Sequence, residues 1–247
     1  MKDYYFNDIA QDYHSKRKKP WKSFIIFLEY LENKNYSFKG VNIDLGCGNG
    51  RHFYYLLKRS DVLIGIDNSF ELLKISLQSI NSKINFKEKS MNKIHIICAD
   101  LSFLPIRTKS IKNIFSIAAI HHIKSKKARE YGIRQIFNTI QNRGFFLLTV
   151  WRRWQKNYRT YFLKDWFKRK GSRTYNKQQE SKNLKDFGDK MVPWTISSEK
   201  RTYNRFYHFF SKSEIENLIK IFKVREFKII GGPTNKDNFF ILAQKIE

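Results

Sequence analysis

The sequence predicts an α/β protein: a mostly parallel sheet with helices on both faces and a long insertion after the fifth strand. Three observations carry this. Short apolar runs alternate with helix-length segments whose apolar residues recur every three or four positions. Three glycines, Gly46, Gly48 and Gly50, directly follow the first such run in VNIDLGCGNG (41–50). The chain closes with two strand-like runs, VREFKII and NFFILAQK, joined only by the polar GGPTNKD, which is the pattern of an antiparallel hairpin at a sheet edge.

The elements follow in order. Residues 1–40 read as a helical cap, with Phe24, Ile25, Phe27, Leu28 and Leu31 at helical spacing behind Pro20-Trp21. Strand one is 41–45, followed by a helix carrying Phe53, Leu56 and Leu57. Strand two is VLIGID (62–67); Ser69 then caps a helix that buries Leu72, Leu73, Ile75 and Leu77. Strand three is KIHIICAD (93–100), strand four IFSIAAI (114–120), then a helix over 125–141 and strand five FFLLTVW (145–151). Residues 152–204 form an insertion, and Ser211 with Glu214 three positions on reads as a capping box opening a late helix. At 247 residues the chain suits one domain: cap 1–40, core 41–151, insertion 152–204, and helix plus hairpin 205–247.

Composition narrows the partners. Lys+Arg 48 against Asp+Glu 22 leaves a net charge of +26, which favours a polyanion, nucleic acid ahead of an anionic membrane. No apolar run is long enough to span a bilayer, and the N-terminus lacks the apolar stretch of a secretory signal. Cys47 and Cys98 read as small buried residues, with no ligand spacing for a metal and no disulfide framework, so a reducing, cytoplasmic setting is expected.

A strand followed by D-x-G-x-G-x-G and a helix is a nucleotide-type loop, in which glycine allows the tight turn and lets backbone N–H groups approach a ligand. No G-K-[ST] follows, which excludes a P-loop. Asp67 ends strand two, placed to accept ribose hydroxyls, and Asp100-Leu101 ends strand three, placed for an adenine amino group beside an apolar ring contact. Asp44, Gly46, Cys47, Gly48, Gly50, Asp67, Asn68, Asp100 and Leu101 together resemble the cofactor site of class I S-adenosylmethionine-dependent methyltransferases. That resemblance implies a Rossmann-like, seven-stranded sheet with one antiparallel strand, and S-adenosylmethionine as cofactor.

Strand four ends in SIAAIHHI (116–123), without the acid, prolines and aromatic usual for amino-group methylation and without a cysteine nucleophile. His121 and His122 stand there instead, one expected to pack and the other to meet substrate. FNDIA (6–10), SKRKKPW (15–21), ADLSFLPIR (99–107), SIAAIHHI, VW (150–151), MVPW (191–194), RFYHFFSKSEIENL (205–218) and KDNFFI (236–241) occur in order. They resemble the tRNA wobble-uridine methyltransferases that esterify 5-carboxymethyluridine, a family also found fused to an AlkB-type domain. Asn113 departs from that pattern, standing where an acid is usual.

The resemblance implies that Arg17, Arg205 and His121 or His122, with Tyr207 and His208, hold the substrate carboxylate and phosphate, and that Trp194 stacks on a splayed anticodon base. It also implies a small zinc-binding activator subunit, shared among methyltransferases, added at the edge strand KIHIIC. A further RNA surface is expected on 151–180, which holds ten Lys/Arg, two acids and eight aromatics; Arg152, Arg153, Lys168 and Arg169 are its chosen cations. Trp154, Tyr158, Tyr161, Phe162 and Trp166 keep a helical spacing that suits a stripe packed on the core. Two other readings stay open: a small-molecule O- or N-methyltransferase of the same fold, and a catalytically silent RNA-binding relative. The charge, RFYHFF and VPW weigh against the first; the intact Asp44, Gly46, Gly48, Asp67 and Asp100 weigh against the second.

Overall fold

The computed structural model describes residues 5–82 and 93–247. The first four residues of the expected helical cap lie outside that range. Two short helices, α1 (Tyr5–Asp8) and α2 (Ala10–Lys16), precede α3 (Lys22–Asn33). The alternating unit then runs β1 (Val41–Leu45), α4 (Phe53–Leu57), β2 (Val62–Asp67), α5 (Phe70–Ser82), β3 (Ile94–Cys98), β4 (Ile111–Ile117), α6 (Lys126–Thr139) and β5 (Ile140–Trp151). The insertion supplies α7 (Arg159–Gly171), α8 (Arg173–Ser181), β6 (Asp189–Ile196) and β7 (Arg201–His208); α9 (Lys212–Leu218), β8 (Lys223–Ile230) and β9 (Asn238–Gln244) close the chain.

Seven strands form one sheet in the order β3-β2-β1-β4-β5-β9-β8. β9 runs antiparallel to both β5 and β8, and the other pairings are parallel, as the sequence predicts. Side chains alternate between two apolar layers. Phe146, Leu148, Phe239 and Ile241 meet Ile133, Ile136 and Ile215 on one face; Leu147, Phe240 and Leu242 meet Phe24, Phe27, Leu28 and Leu31 on the other. The strand order reverses between β1 and β4, so a crevice opens at their carboxyl ends, the place where open α/β sheets bind ligands.

Several boundaries differ from the sequence reading. β4 stops at Ile117 rather than at residue 120 because Ala118 takes a left-handed backbone, φ 57°, and sends the chain into a single 3₁₀ turn, Ile120–His122. Asn113 lies inside β4, where its amide donates to Asn42 Oδ1 at 2.8 Å and its own Oδ1 accepts the Phe145 N–H. A neutral amide can link three strands this way; a buried acid there would lack the donor. Cys47 is buried as expected, but Cys98 is exposed, because β3 pairs on one side only among the described residues.

The insertion departs most. Its last part is not loop but an antiparallel hairpin, β6–β7, and the expected boundary at 204/205 falls inside β7. Of the aromatic stripe only Phe162 is fully buried; Tyr158 and Tyr161 are half-buried, and Trp154 and Trp166 are exposed. α7 instead turns a polar pair inward: Asp165 accepts from Arg169 Nε at 2.7 Å and from the Tyr175 hydroxyl at 2.8 Å.

Three expected functional residues prove to be structural anchors. Arg169 also donates to the Leu184 and Lys185 carbonyls, which ties α7 to the segment before β6. Arg153 is buried, donating to the Phe209 and Phe187 carbonyls and to Glu214. His208 has no exposed surface: Nδ1 faces Asp189 at 2.6 Å and Nε2 faces Glu214 at 2.7 Å. Neither Arg153 nor His208 lines the cavities at the carboxyl ends of β1 and β4; charge-assisted hydrogen bonds to Glu214 and, for His208, Asp189 hold them elsewhere. Glu214 closes the arrangement by capping α9 through Ser211.

Replacing His208 with Ala leaves the buried Asp189 carboxylate short of a partner. We expect a loss of about 3 kcal/mol or more in unfolding free energy, read by denaturant titration. A near-neutral result would show that this network does not hold the hairpin.

Candidate active site

Two cavities meet at the carboxyl ends of β1 and β4. The smaller, about 520 Å³, is lined by the glycine loop (Gly46, Cys47, Gly48, Asn49), Asp67, Asn68, Leu72, Asp100 and Leu101. The larger, about 780 Å³, is lined by residues 15–22 and by His121, Trp151, Tyr158, Arg205, Tyr207 and the 232–238 loop. Phe6, Tyr13, Arg51, Ala118 and His122 line both and form the shared wall.

The glycine loop is built as its sequence demands. Gly46 has φ 79°, and a Cβ there would lie 2.3 Å from that of Ala119. Gly50 has φ 69° and lies against the Phe53 ring, so it shapes the turn rather than lining the cavity. The loop is held from the next strand: Asp67 Oδ2 accepts the Gly48 N–H at 2.8 Å, while its Oδ1 accepts the Ser69 N–H at 2.9 Å. Asp100 Oδ1 accepts the Ser102 N–H at 2.7 Å, and the residue stays exposed at the cavity rim. Asp44 is fully buried and neither of its oxygens has a hydrogen-bond partner among the described residues. Burial, with Asp67 nearby, pushes its pKa up to about 7.

The wall opposite is aromatic. His121, Tyr207 and Trp151 form a stack, with centroids 5.0 Å apart for His121–Tyr207 and 4.4 Å for Trp151–Tyr207. His122 meets the Tyr207 ring edge-on at 4.4 Å, and its Nδ1 lies 2.9 Å from the Phe206 carbonyl oxygen. Both imidazoles are held neutral. Burial, with the charge on Arg205 adding to it, drives His121 well below its ordinary pKa and lowers His122 to about 4. Hence neither supplies the fixed positive charge expected from the sequence; each offers an N–H or a lone pair. Among the described residues, His121 Nδ1 and Arg205 Nε are buried without partners in the larger cavity's wall.

Trp194 differs from its expected role as a base-stacking platform. It is buried, donates from Nε1 to Asp12 Oδ2 at 2.7 Å, and lies against Tyr13. The Arg205 and Arg17 guanidinium carbons sit 4.5 and 5.6 Å from its ring centroid, so it positions cations at the cavity instead. Arg17 is exposed at the mouth of the larger cavity, Arg152 donates to the Lys236 carbonyl, and Lys168 is exposed on α7. Of the shared wall, sequence reading singles out His122 alone. Phe6 carries a signal only as part of FNDIA, and Arg51 carries none beyond following the glycines.

The two cavities differ in their balance of charge. The larger gathers Lys16, Arg17, Lys18, Lys19, Lys22, Arg51 and Arg205 against Asp237. The smaller sets Asp67 and Asp100 against Arg51 and Lys124, with Asp44 buried behind its loop. One suits an anionic substrate, the other a ligand of mixed charge.

Comparison with known proteins fits this division. Residues 43–148 match the family described as "Methyltransferase domain". That match spans the sheet from β1 to β5. The chain is 25% identical to the tRNA (carboxymethyluridine(34)-5-O)-methyltransferase of Schizosaccharomyces pombe, over 97% of this chain and 94% of that one. Among solved structures, a SAM-dependent methyltransferase from Methanosarcina mazei superposes with a TM-score of 0.64 at 19% identity, covering 85% of this chain and 93% of that chain. DhpI, in a complex with SAM and HEP, gives 0.63 at 13% identity, over 97% and 94%. These likenesses establish a class I methyltransferase fold. No described helix is long and apolar enough to cross a membrane.

The histidines give this protein a pH signature. Their folded pKa values lie below the unfolded value of 6.5, so the stability linked to them is present in full above 6.5 and is lost as pH falls, for His122 through about 4. Replacing both with Gln should flatten that part of the stability–pH curve, measured by thermal unfolding from pH 7 to 4. An unchanged curve would show that the rings already protonate freely.

Proposed function

We propose that this methyltransferase esterifies the carboxylate of 5-carboxymethyluridine at position 34 of tRNA. The observation that carries the reading is a pair of buried polar atoms, the Arg205 Nε donor and the His121 ring Nδ1, that have no partner among the described residues, in a basic cavity sharing a wall with the glycine-loop cavity. The near-full-length likeness to the fission-yeast enzyme names the substrate.

The residues present fit S-adenosylmethionine. A cradle at Gly46 and Gly48 leaves backbone room, Asp67 and Asp100 stand at successive strand ends, and Asp44 is a buried carboxylate lacking a donor. When bound, the cofactor supplies a methyl group activated by a sulfonium and leaves as S-adenosylhomocysteine. Asp67 accepts from the ribose hydroxyls, Asp100 from the adenine amino group, and Leu101 packs on the ring. Asp44 is stabilised as an anion by any cationic or N–H group brought to the loop.

A carboxylate is ionised at neutral pH and is already a nucleophile, so no general base is needed and the gain comes from orientation. Arg205 and His121 hold it, and Arg17 with the basic run 15–22 meets the phosphates. The Trp151–Tyr207–His121 stack fixes the uracil ring's plane, and Phe6, Tyr13 and His122 exclude water from the shared wall. Esterification removes the charge that Arg205 attracts, which favours product release. The chain is read as one domain whose insertion walls the substrate cavity, acting on tRNA in the cytoplasm.

An activator subunit of small, zinc-binding type fits the outer edge at β3. Ile94, Ile96 and Ile97 are only half-buried there, His95 and Cys98 are exposed, and β3 pairs on one side only among the described residues. An open edge this apolar is a template for strand addition.

Two variants test the chemistry together. Asp67→Ala should weaken S-adenosylmethionine binding roughly tenfold by titration calorimetry, the scale of a lost charged hydrogen bond. Arg205→Ala should leave that affinity intact and cut labelled-methyl transfer to tRNA by about tenfold or more. Methylation of small metabolites with tRNA untouched would overturn the substrate assignment. For the activator, co-expression should raise soluble yield and methyl transfer together; a monodisperse, fully active monomer prepared alone would remove the need for it.

A further inference from the structure

α7 is amphipathic the wrong way round for a packed helix. Its inward face carries Phe162 with the Asp165–Arg169 pair, while Leu163, Trp166 and Phe167 are 48%, 37% and 64% exposed. Leu163, Trp166, Phe167 and Lys170 fall at i, i+3, i+4 and i+7, one continuous stripe facing solvent. Trp166 and Phe167 meet edge to face at 4.8 Å, and Lys170 Nζ sits 3.9 Å over the Trp166 ring. Around the stripe Arg159, Lys164, Lys168, Lys170, Arg173 and Lys177 are exposed, against one exposed acid of the α7–α8 pair, Glu180.

The helix starts at the substrate cavity. Asn157 and Tyr158 line that cavity, and Tyr158 is the residue from which α7 starts, on the face it shares with Phe162. At 1.5 Å per residue, Trp166 lies about 12 Å along the helix from Tyr158, on the outer face. A strand leaving the cavity and turning onto that outer face meets the exposed rings with cations beside its phosphates.

We propose that Leu163, Trp166 and Phe167 form a stacking platform for unpaired tRNA nucleotides flanking the one held in the cavity, clamped by Lys164, Lys168 and Lys170. This rests on the tRNA reading above and adds where the rest of the loop lies. Rings beside cations bind splayed bases with little sequence preference. An anionic membrane surface would also attract a basic, aromatic helix. Three apolar side chains within reach of a ligand cavity, on a helix whose other face is anchored to the protein, fit a single strand better than a bilayer.

The test compares wild type with Trp166→Ala/Phe167→Ala, both exposed positions, using bulk tRNA, an isolated anticodon stem–loop RNA and vesicles of mixed phosphatidylserine and phosphatidylcholine. The double variant should bind both RNAs at least tenfold more weakly, with S-adenosylmethionine affinity and thermal midpoint unchanged, and Trp166→Phe should restore most of the RNA affinity. Unchanged RNA affinity in the folded double variant overturns the platform while leaving the tRNA reading in place. Loss of vesicle binding with RNA binding intact assigns the stripe to a membrane and also overturns it. Failure of the wild type to bind either RNA overturns the tRNA reading and the platform together.

Discussion

The approach of Gly46 to Ala119 at the switch point of the sheet is the constraint on which the site depends. Two strand ends turn there, both through left-handed backbone, at Gly46 and at Ala118. A side chain on Gly46 would collide with Ala119, and bulk on Ala119 would push the glycine loop away. The turn after β1 builds the glycine-loop cavity, and the turn after β4 swings His121 and His122 toward the basic one. Ala118 lines both. Its strained conformation is held by N–H bonds to the Thr149 carbonyl and hydroxyl on β5, so the neighbouring strand over-determines the turn.

Charge is sorted by the fold rather than spread. Arg129, Arg153 and Arg169 spend their guanidinium donors on backbone carbonyls and on Asp186, Glu214 and Asp165, joining the insertion to α6 and α9. Five donors in a planar fork make arginine suited to bridging several acceptors at once. The lysines of the cavity mouth and of α7, with a flexible stem and a strongly hydrated head, stay outside, whereas Lys245 is buried and donates to the Phe137 and Ile140 carbonyls. The net charge of +26 thus divides into structural arginines and a surface field available to a polyanion.

The aromatic wall works by exclusion. Trp151, Tyr207 and His121 stack closely enough that the imidazoles lose solvation and remain neutral, while Arg205, guanidinium against Trp194 and Tyr207, keeps its charge on ring faces. A carboxylate entering such a cavity meets the Arg205 guanidinium and a neutral imidazole set in an aromatic wall, where directed electrostatics act more strongly than in open water.

Sequence by itself determined the sheet, the cofactor loop and the sign of the partner. These rest on local rules: period-two strands, period-3.6 helices, glycines where φ is positive, and a surplus of Lys and Arg. Asp44, Asp67 and Asp100 were legible because strand ends in an α/β sheet converge by topology. What only the tertiary structure decided was which residues of a given type face the cavity. RFYHFF holds an alternating strand, and nothing local says that Arg205 and Tyr207 line a cavity while His208, one position on, turns inward to Asp189 and Glu214. Trp194 and Arg153 became internal for the same reason: partners more than forty positions away supplied their hydrogen bonds. The outward stripe of α7 was invisible too, since periodicity marks an apolar face but not its direction. Direction is set by what the opposite face can bury, and there the Asp165–Arg169 pair with Tyr175 took the inside.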